Sequence, residues 1–471
     1  MAGPPCATSG NQTVPRWIRD DPREEAAMLG ELGLRDIEEL FRDVPRKARV
    51  GRLGLGAGAD ERAVVQEVDR LLSRNKPYSR FAQFLGGRVA TRYTPAALDA
   101  LLSRSEFYTS YTPYQPEASQ GMLQALFEFQ SLWVELSGLD VANASLYDGA
   151  SALGESLLFC RRIHDGRRFL IPASLPWEEK SVLANYASGP DLIVTEIPYD
   201  ETTGCLDTGR LTEELARGDV FGVLADLPNG FGHLDEALPD LKSLAKDVPV
   251  VVHADPLALS VLEPPGAYGA DVVVGEGQGF GLPPSFGGPL LGLFACRREH
   301  VRQAPGRLVG ATVDARGERA FCLTLTTREQ HIRRSKATSN ICTNDSLIAL
   351  GFLFYAALQG PRGLARIATE LSEHARTLAA ALGEIDGLDA PRFESPFLSE
   401  FTIELGRGSA AEFLERLARR KVLGGIDLAD PRPGRPRDPE RILVAATETT
   451  DDRAIQRYVR AARSILEGGA P

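Results

Sequence analysis

The period of the apolar positions changes along this chain. Between Glu24 and Phe41, the residues Met28, Leu29, Leu32, Leu34, Ile37, Leu40 and Phe41 recur at helical spacing, which predicts two short amphipathic helices broken near Gly33. A glycine-rich stretch, Gly51–Gly58, precedes a further helix over Glu61–Arg74. From Arg168 to Arg297 short apolar runs alternate with amphipathic stretches. The runs are Phe169–Pro172, Leu192–Ile197, Val220–Leu227, Val248–His253, Asp271–Val274 and Leu290–Phe294. Strands that are apolar on both faces and separated by helices predict a mostly parallel sheet covered on both sides, the core of a doubly wound α/β domain. Ligands of such sheets sit in the crevice at the carboxyl ends of the strands. Beyond Thr343 the pattern becomes a long helical region, Ser346–Leu382, then a strand over Phe397–Leu405, a helix over Ala410–Arg420 and a strand over Ile442–Ala446, which predicts a second, smaller α/β domain. Within it DPRPGRPRDPE, Asp430–Glu440, is too rich in proline for a helix or a central strand and is expected to be an exposed loop.

Composition narrows the possibilities. The 471 residues correspond to about three domain-sized units, expected here as a disordered tail at 1–14, a helical segment at 15–75, a large α/β domain at 76–345 and a small α/β domain at 346–471. Hydrophobic residues at 43% and charged residues at 25% are ordinary for a globular protein, and no apolar run reaches the roughly 18 residues of a membrane helix, so no membrane span is expected. The net charge of −11, with arginines dispersed among acids, argues against nucleic acid and for small molecules or protein partners. The six cysteines lie far apart and the histidines form no spaced ligand motif, so no metal site is expected, and free thiols fit a reducing cytoplasm. Met1–Val14 has no basic and apolar signal pattern, and Asp20, Asp21, Glu24 and Glu25 make the following stretch acidic, unlike a transit peptide.

Four segments can carry chemistry. FYTSYTPYQPEASQG, Phe107–Gly121, holds two prolines that fix φ and remove donors, giving a rigid loop that presents Tyr111, Tyr114, Gln115 and Glu117 either to a site or to packing. In ASLYDGASALGE, Asp148, Gly149 and Ser151 open a helix, where backbone N–H groups can hold an anion or Asp148 can simply cap. GEGQGFG, Gly275–Gly281, imitates a dinucleotide fingerprint, but Leu282, Pro283 and Pro284 follow where a helix should open, which excludes nicotinamide binding; its glycines instead allow another chain or a bound group to approach the backbone. Thr326–Thr343 gathers Arg328, His331, Arg333, Arg334 and Lys336 with Ser339 and Asn340, as an anion site or as a solvated helix start.

The strings SRSEFYTSYTPYQPEASQG, DVANASLYDGASAL, DVVVGEGQGFGLPPSFGGP and TREQHIRRSKATSNICTN, in this order, carry a resemblance that runs from about Pro15 to Glu448. The sequence resembles subunit 1 of the two-subunit glycine dehydrogenase (decarboxylating), the P-protein of the glycine cleavage system. The resemblance implies a large domain like that of type I pyridoxal-phosphate enzymes, a small carboxy-terminal domain, and active sites at subunit interfaces. It further implies a homologous subunit 2 that carries the Schiff-base lysine and the pyridoxal phosphate, glycine bound there as an aldimine, release of carbon dioxide, and transfer of the aminomethyl group to a lipoylated H-protein. Under it, Tyr111, Tyr114, Gln115 and Glu117 become candidates for a shared pocket. Asp148, Gly149, Ser151, His331, Arg333 and Asn340 become candidates for anion binding or an interface.

The lysine content supports this independently. No lysine occurs between Lys246 and Lys336, although a pyridoxal enzyme of this type needs one after a late strand of the large domain; Gly279 falls near the place where subunit 2 would carry it. This chain is therefore expected to be inactive alone and to support its partner. The alternative is a freestanding scaffold or interaction protein descended from the same fold. Two departures qualify the resemblance: Val89–Arg92 replaces a stretch usually aromatic, acidic and histidine-containing, so no role is carried onto Arg92, and the tail before Thr13 is longer than usual.

Overall fold

A computed structural model describes residues 21–50, 58–429, 431 and 440–468. The expected tail, most of the Gly51–Gly58 stretch and most of the Asp430–Glu440 loop lie outside these residues. The chain divides into a unit ending at Lys76 and a unit from Pro77 onward. The first contains the helix Pro22–Glu31, a 3₁₀ turn at Ile37–Phe41 and the helix Glu61–Leu72. Each starts at an aspartate, Asp21, Asp36 or Asp60, whose carboxylate accepts a backbone N–H of the first turn.

The second unit is built on a seven-stranded sheet. Its strands are β1 (Val141–Ala142), β2 (Arg168–Pro172), β3 (Ile193–Ile197), β4 (Val220–Leu227), β5 (Val250–Ala254), β6 (Val272–Glu276) and β7 (Gly292–Cys296), in the spatial order β1-β7-β6-β5-β4-β2-β3. The run β3-β2-β4-β5-β6 is parallel, while β7 is antiparallel to both of its neighbours, so that β1 again runs with the parallel strands. The last predicted strand thus reverses direction. Its connection from β6 contains a 3₁₀ turn and a proline-rich loop but no crossover helix, and a parallel return normally uses one.

One sheet face packs on α1 (Gln120–Ser137), whose Leu123, Leu126, Phe129 and Trp133 are buried with Val223, Val252 and Val273. The other packs on α2 (Gly149–Ile163) and α3 (Trp177–Ser188) through Leu153, Leu157, Leu183, Leu224, Val251 and Val274. Sequence reading missed a hairpin, β8 (Leu308–Val313) with β9 (Arg319–Thr324), which closes through Asp314 and Gly317, whose φ of 81° takes the turn. Its strands are half-exposed and carry no clean apolar alternation, so periodicity did not reveal it.

The long helix α4 (Ser346–Gly383) is the one described helix long and apolar enough to cross a membrane by length and composition. Its apolar side chains are nevertheless shared between two protein cores. Ala349, Phe352, Tyr355 and Leu364 join the sheet and α1, whereas Ala375, Leu378 and Leu382 join a second core. That second core covers a four-stranded antiparallel sheet of β10 (Leu388–Asp389), β11 (Glu400–Leu405), β12 (Ile426–Asp427) and β13 (Arg441–Ala445), together with α5 (Ala410–Arg419) and α6 (Asp452–Leu466). It also takes Ala82 and Phe84, since Ala82–Gln83 pairs in parallel with Val422–Leu423. The residues that follow form a strap, Gly86–Tyr93, leading from this core to the carboxyl ends of the large sheet.

Candidate functional site

At those carboxyl ends the strand alternation carries polar residues onto a buried face. On β4, β5 and β6 the apolar residues Leu224, Val251 and Val274 face α2 and α3, and two residues further along each strand stand Asp226, His253 and Glu276. Register places Asp226 directly opposite His253, with 3.2 Å between Asp226 Oδ1 and His253 Nδ1. Glu179, from the first turn of α3, completes a buried group with ligating atoms within 4.8 Å of one another. Sequence spacing gave no hint of this cluster, because its members come from one helix and two strands joined only by the sheet.

The cluster already holds a cation. Arg88 Nη2 donates to Asp226 Oδ2 at 2.5 Å, Nε donates to Glu179 Oε1 at 3.1 Å, and Nη1 reaches the carbonyl of Pro228 at 3.3 Å. Burial opposes the guanidinium's charge, but Asp226 and Glu179 outweigh it and raise the Arg88 pKa above its ordinary value. For Asp226, burial pulls upward while Arg88 and His253 pull further down, so its carboxyl lies below the usual range. Arg88 has φ of 80°, a left-handed conformation that costs a non-glycine residue about 1–2 kcal/mol, and Gly87 before it is also left-handed at 75°. The backbone bends there because Gly87 N–H is held by the buried carboxylate of Glu400 at 2.9 Å.

The opening of α2 is also occupied. Asp148 caps it, accepting Ser151 N–H at 2.6 Å. Gly149 N–H donates to Glu276 Oε2 at 2.9 Å, and Glu276 Oε1 accepts Gln278 N–H at 3.0 Å and Leu291 N–H at 2.9 Å. A Cβ at position 149 would stand 3.0 Å from that of Glu276, so glycine permits the approach. Burial pushes the Glu276 carboxyl up to about 7, against the pull of those three N–H donors. Asp148 thus caps α2, and a side-chain carboxylate of the protein itself stands at the helix N-terminus.

The turn Gly277–Gly279 explains the spaced glycines. Gln278 is fully buried and grips the strap, its Oε1 accepting Ala90 N–H at 3.1 Å and its Nε2 donating to the Ala90 carbonyl at 2.9 Å. The segment that approaches this backbone is thus part of the same polypeptide. A Cβ at Gly279 would point at Arg92, 3.8 Å from Nη2. Arg92, to which the sequence assigned nothing, is buried and pairs with Glu448 at 3.3 Å. Arg88, Ala90, Arg92, His253, Glu276 and Gly279 line a residual cavity of about 30 Å³.

The tyrosine loop and the cationic segment meet elsewhere. Arg307, 4% exposed, donates to the Tyr114 hydroxyl at 2.8 Å and to Thr112 Oγ1 at 2.9 Å, and lies 3.9 Å from Glu329 Oε2. His331 Nδ1 is 3.5 Å from the same Glu329 oxygen. Tyr111 at 74%, Tyr114 at 58%, Gln115 and Glu117 are exposed, as are His331, Arg333 and Asn340. Arg333 donates to the nearby Thr327 carbonyl at 3.2 Å. The buried Arg307–Glu329 pair thus ties two sequence-predicted segments together, and neither of its members was singled out by the sequence.

A family model described as "Glycine cleavage system P-protein" matches residues 15–461. Among curated relatives, the "Probable glycine dehydrogenase (decarboxylating) subunit 1" of Thermoplasma acidophilum is 40% identical over 442 residues, covering 94% of this chain and 100% of that protein. The protein of the same name from Geobacillus kaustophilus is 42% identical over 447 residues, covering 94% and 98%. A crystal structure of glycine decarboxylase (P-protein) of the glycine cleavage system, in inhibitor-bound form, superposes with a TM-score of 0.85 at 38% identity over 95% of this chain and 99% of that one. Glutamate decarboxylase of Lactobacillus brevis shares the fold alone, with a TM-score of 0.66 at 13% identity over 92% of this chain and 99% of that one. The architecture is therefore that of the type I pyridoxal-phosphate-dependent enzymes.

Proposed function

Because this chain belongs to the P-protein family of the glycine cleavage system, we propose that it serves as the non-cofactor subunit of a glycine decarboxylase, working with a homologous lysine-bearing subunit 2. The observation that carries this reading is the missing lysine at the carboxyl ends of the large sheet. A bound pyridoxal phosphate needs a lysine, a carboxylate free to face the ring nitrogen, donors free to hold the phosphate, and space. Here the interval 247–335 has no lysine, Arg88 holds Asp226 and Glu276 holds Gly149 N–H, so the groove of about 350 Å³ beside them offers no amine to the cofactor. These residues do not fit the cofactor, so no step is routed through it in this chain.

The pyridoxal phosphate is accordingly assigned to the partner subunit. Loss of carbon dioxide from glycine and delivery of the aminomethyl group to a lipoylated H-protein are assigned to the assembled pair. This chain's contribution is the exposed face held by Arg307. Its guanidinium lies 5.2 Å from the centre of the Tyr114 ring and fixes that hydroxyl, and Tyr111, Gln115 and Glu117 stand beside it, available to a shared pocket. A cytoplasmic setting is consistent with Cys160, Cys205, Cys296, Cys322 and Cys342, all free thiols.

Co-expression with the lysine-bearing homologue, followed by co-purification and a glycine–bicarbonate exchange assay, tests the reading. Activity is expected from the pair and from neither chain alone. Exchange by this chain alone, or an inactive but correctly assembled pair, would overturn it.

A further inference from the structure

Three buried side chains at the carboxyl ends of the large sheet keep ligating atoms turned toward one another. Arg88 takes Asp226 Oδ2 at 2.5 Å and Glu179 Oε1 at 3.1 Å, and reaches Glu179 Oε2 only at 3.4 Å. The second oxygen of Asp226, Oδ1, lies 3.2 Å from His253 Nδ1, yet neither atom has a hydrogen-bond partner, although both side chains are at most 1% exposed. Glu179 Oε2 stands 3.7 Å from the same nitrogen, and ligating atoms of all three residues fall within 4.8 Å of one another. Buried polar atoms are normally satisfied, so an unpartnered oxygen and an unpartnered nitrogen facing each other point to a third body that both can bind. An ion about 2.1 Å from each would subtend about 100° across their separation of 3.2 Å, between the angles of octahedral and tetrahedral coordination.

We propose that Glu179, Asp226 and His253 are the protein ligands of one divalent transition-metal ion, with zinc the best match to the donors. Two carboxylate oxygens and one imidazole nitrogen suit zinc, which binds both kinds of atom and can leave its fourth position open. They do not suit calcium or magnesium, whose sites are built from oxygen. Arg88 is the outer partner, holding the far oxygen of each carboxylate as ligating carboxylates commonly require. Its charge does not saturate the crevice. Glu179, Asp226, Asp255, Glu276 and Glu400 face Arg88 and Arg92 there, and Arg92 also pairs with Glu448, so further positive charge is favoured. Coordination through Nδ1 leaves the imidazole proton on Nε2, and His253 lines the cavity of about 30 Å³, which has room for a water to accept it. The groove of about 350 Å³ lined by Arg88 and Glu179 gives the ion an approach from outside. Because the ligands come from one helix and two strands, the absence of a spaced motif in the sequence is no guide to them.

The site lies wholly within this chain, so it is tested without the partner subunit. The full chain, stripped with a chelator, is titrated with zinc chloride and separately with magnesium chloride by equilibrium dialysis and elemental analysis, alongside thermal unfolding. The wild type is expected to bind one zinc per chain, to melt higher with it, and to leave magnesium unbound. His253→Gln and Asp226→Asn, each checked for folding by circular dichroism, are expected to weaken zinc at least about a hundredfold. A wild type that binds no zinc, or a folded variant of either kind that binds it undiminished, would overturn the proposal. Magnesium bound as tightly as zinc would overturn the zinc assignment. Should both variants fail to fold, X-ray absorption at the zinc edge of the wild type decides. A first shell of oxygen with one imidazole nitrogen is expected, whereas a sulfur shell, as the exposed Cys342 would give, would overturn the site.

Discussion

At the scale of single residues, the crevice depends on charges whose cost is met only by one another. Arg88, Asp226 and Glu179 are buried together, and removing one partner from such a group leaves an uncompensated charge. Arg88→Ala is therefore expected to lose about 3–5 kcal/mol of unfolding free energy in a urea titration. A loss below about 1 kcal/mol would mean that the pairing is not what holds the crevice. Glu276 gives a pH signature. Its folded-state pKa, pushed up to about 7 by burial, lies above the ordinary 4.5, so between those values the native state binds more protons than the unfolded chain and stability falls as pH rises. Over that window the wild type should lose about 3 kcal/mol relative to Glu276→Gln, which has no proton to release. Parallel stability profiles of the two proteins would contradict this. Little of it was legible in the sequence. Asp226 and His253 end apolar strand runs, but Arg88 and Arg92 sit in a strap without helical or strand period, and only the fold carries them to the crevice.

At the scale of elements, every predicted strand of the large domain exists within a few residues of its expected bounds, because apolar runs of that length bury both faces in the central strands, the edge strand β3 alone staying largely exposed. The long helix was also legible, yet its division was not. The helical period runs through Gly360 and Pro361, although Gly360 has φ of 64° and ψ of 173° and interrupts the helical backbone. Gly-Pro inside the run was the available signal. That backbone region belongs almost exclusively to glycine, and nothing lies within 4 Å of where a Cβ would stand, so Gly360→Ala isolates the conformational cost. It is expected to lower stability by about 1–3 kcal/mol in thermal or denaturant unfolding. An unchanged midpoint would show that the kink does not depend on glycine. The bend lies within the part of α4 that serves the first core, since Leu364, Ile367, Ala368 and Leu371 beyond it still pack there and only Ala375 onward joins the second.

At the scale of the whole molecule, resemblance in the sequence named the family, and the missing lysine named the half of the enzyme. The charged crevice was not legible, because Arg88, Glu179, Asp226, His253 and Glu276 converge on it from distant segments. The central claim is that the pyridoxal phosphate of the assembled enzyme is bound by the other subunit alone. Borohydride reduction of the purified pair, followed by peptide mapping of both chains, tests it most directly. The phosphopyridoxyl group is expected on a lysine of the partner and on no peptide of this chain. A phosphopyridoxyl-lysine within this chain, in stoichiometric amount, would contradict the account.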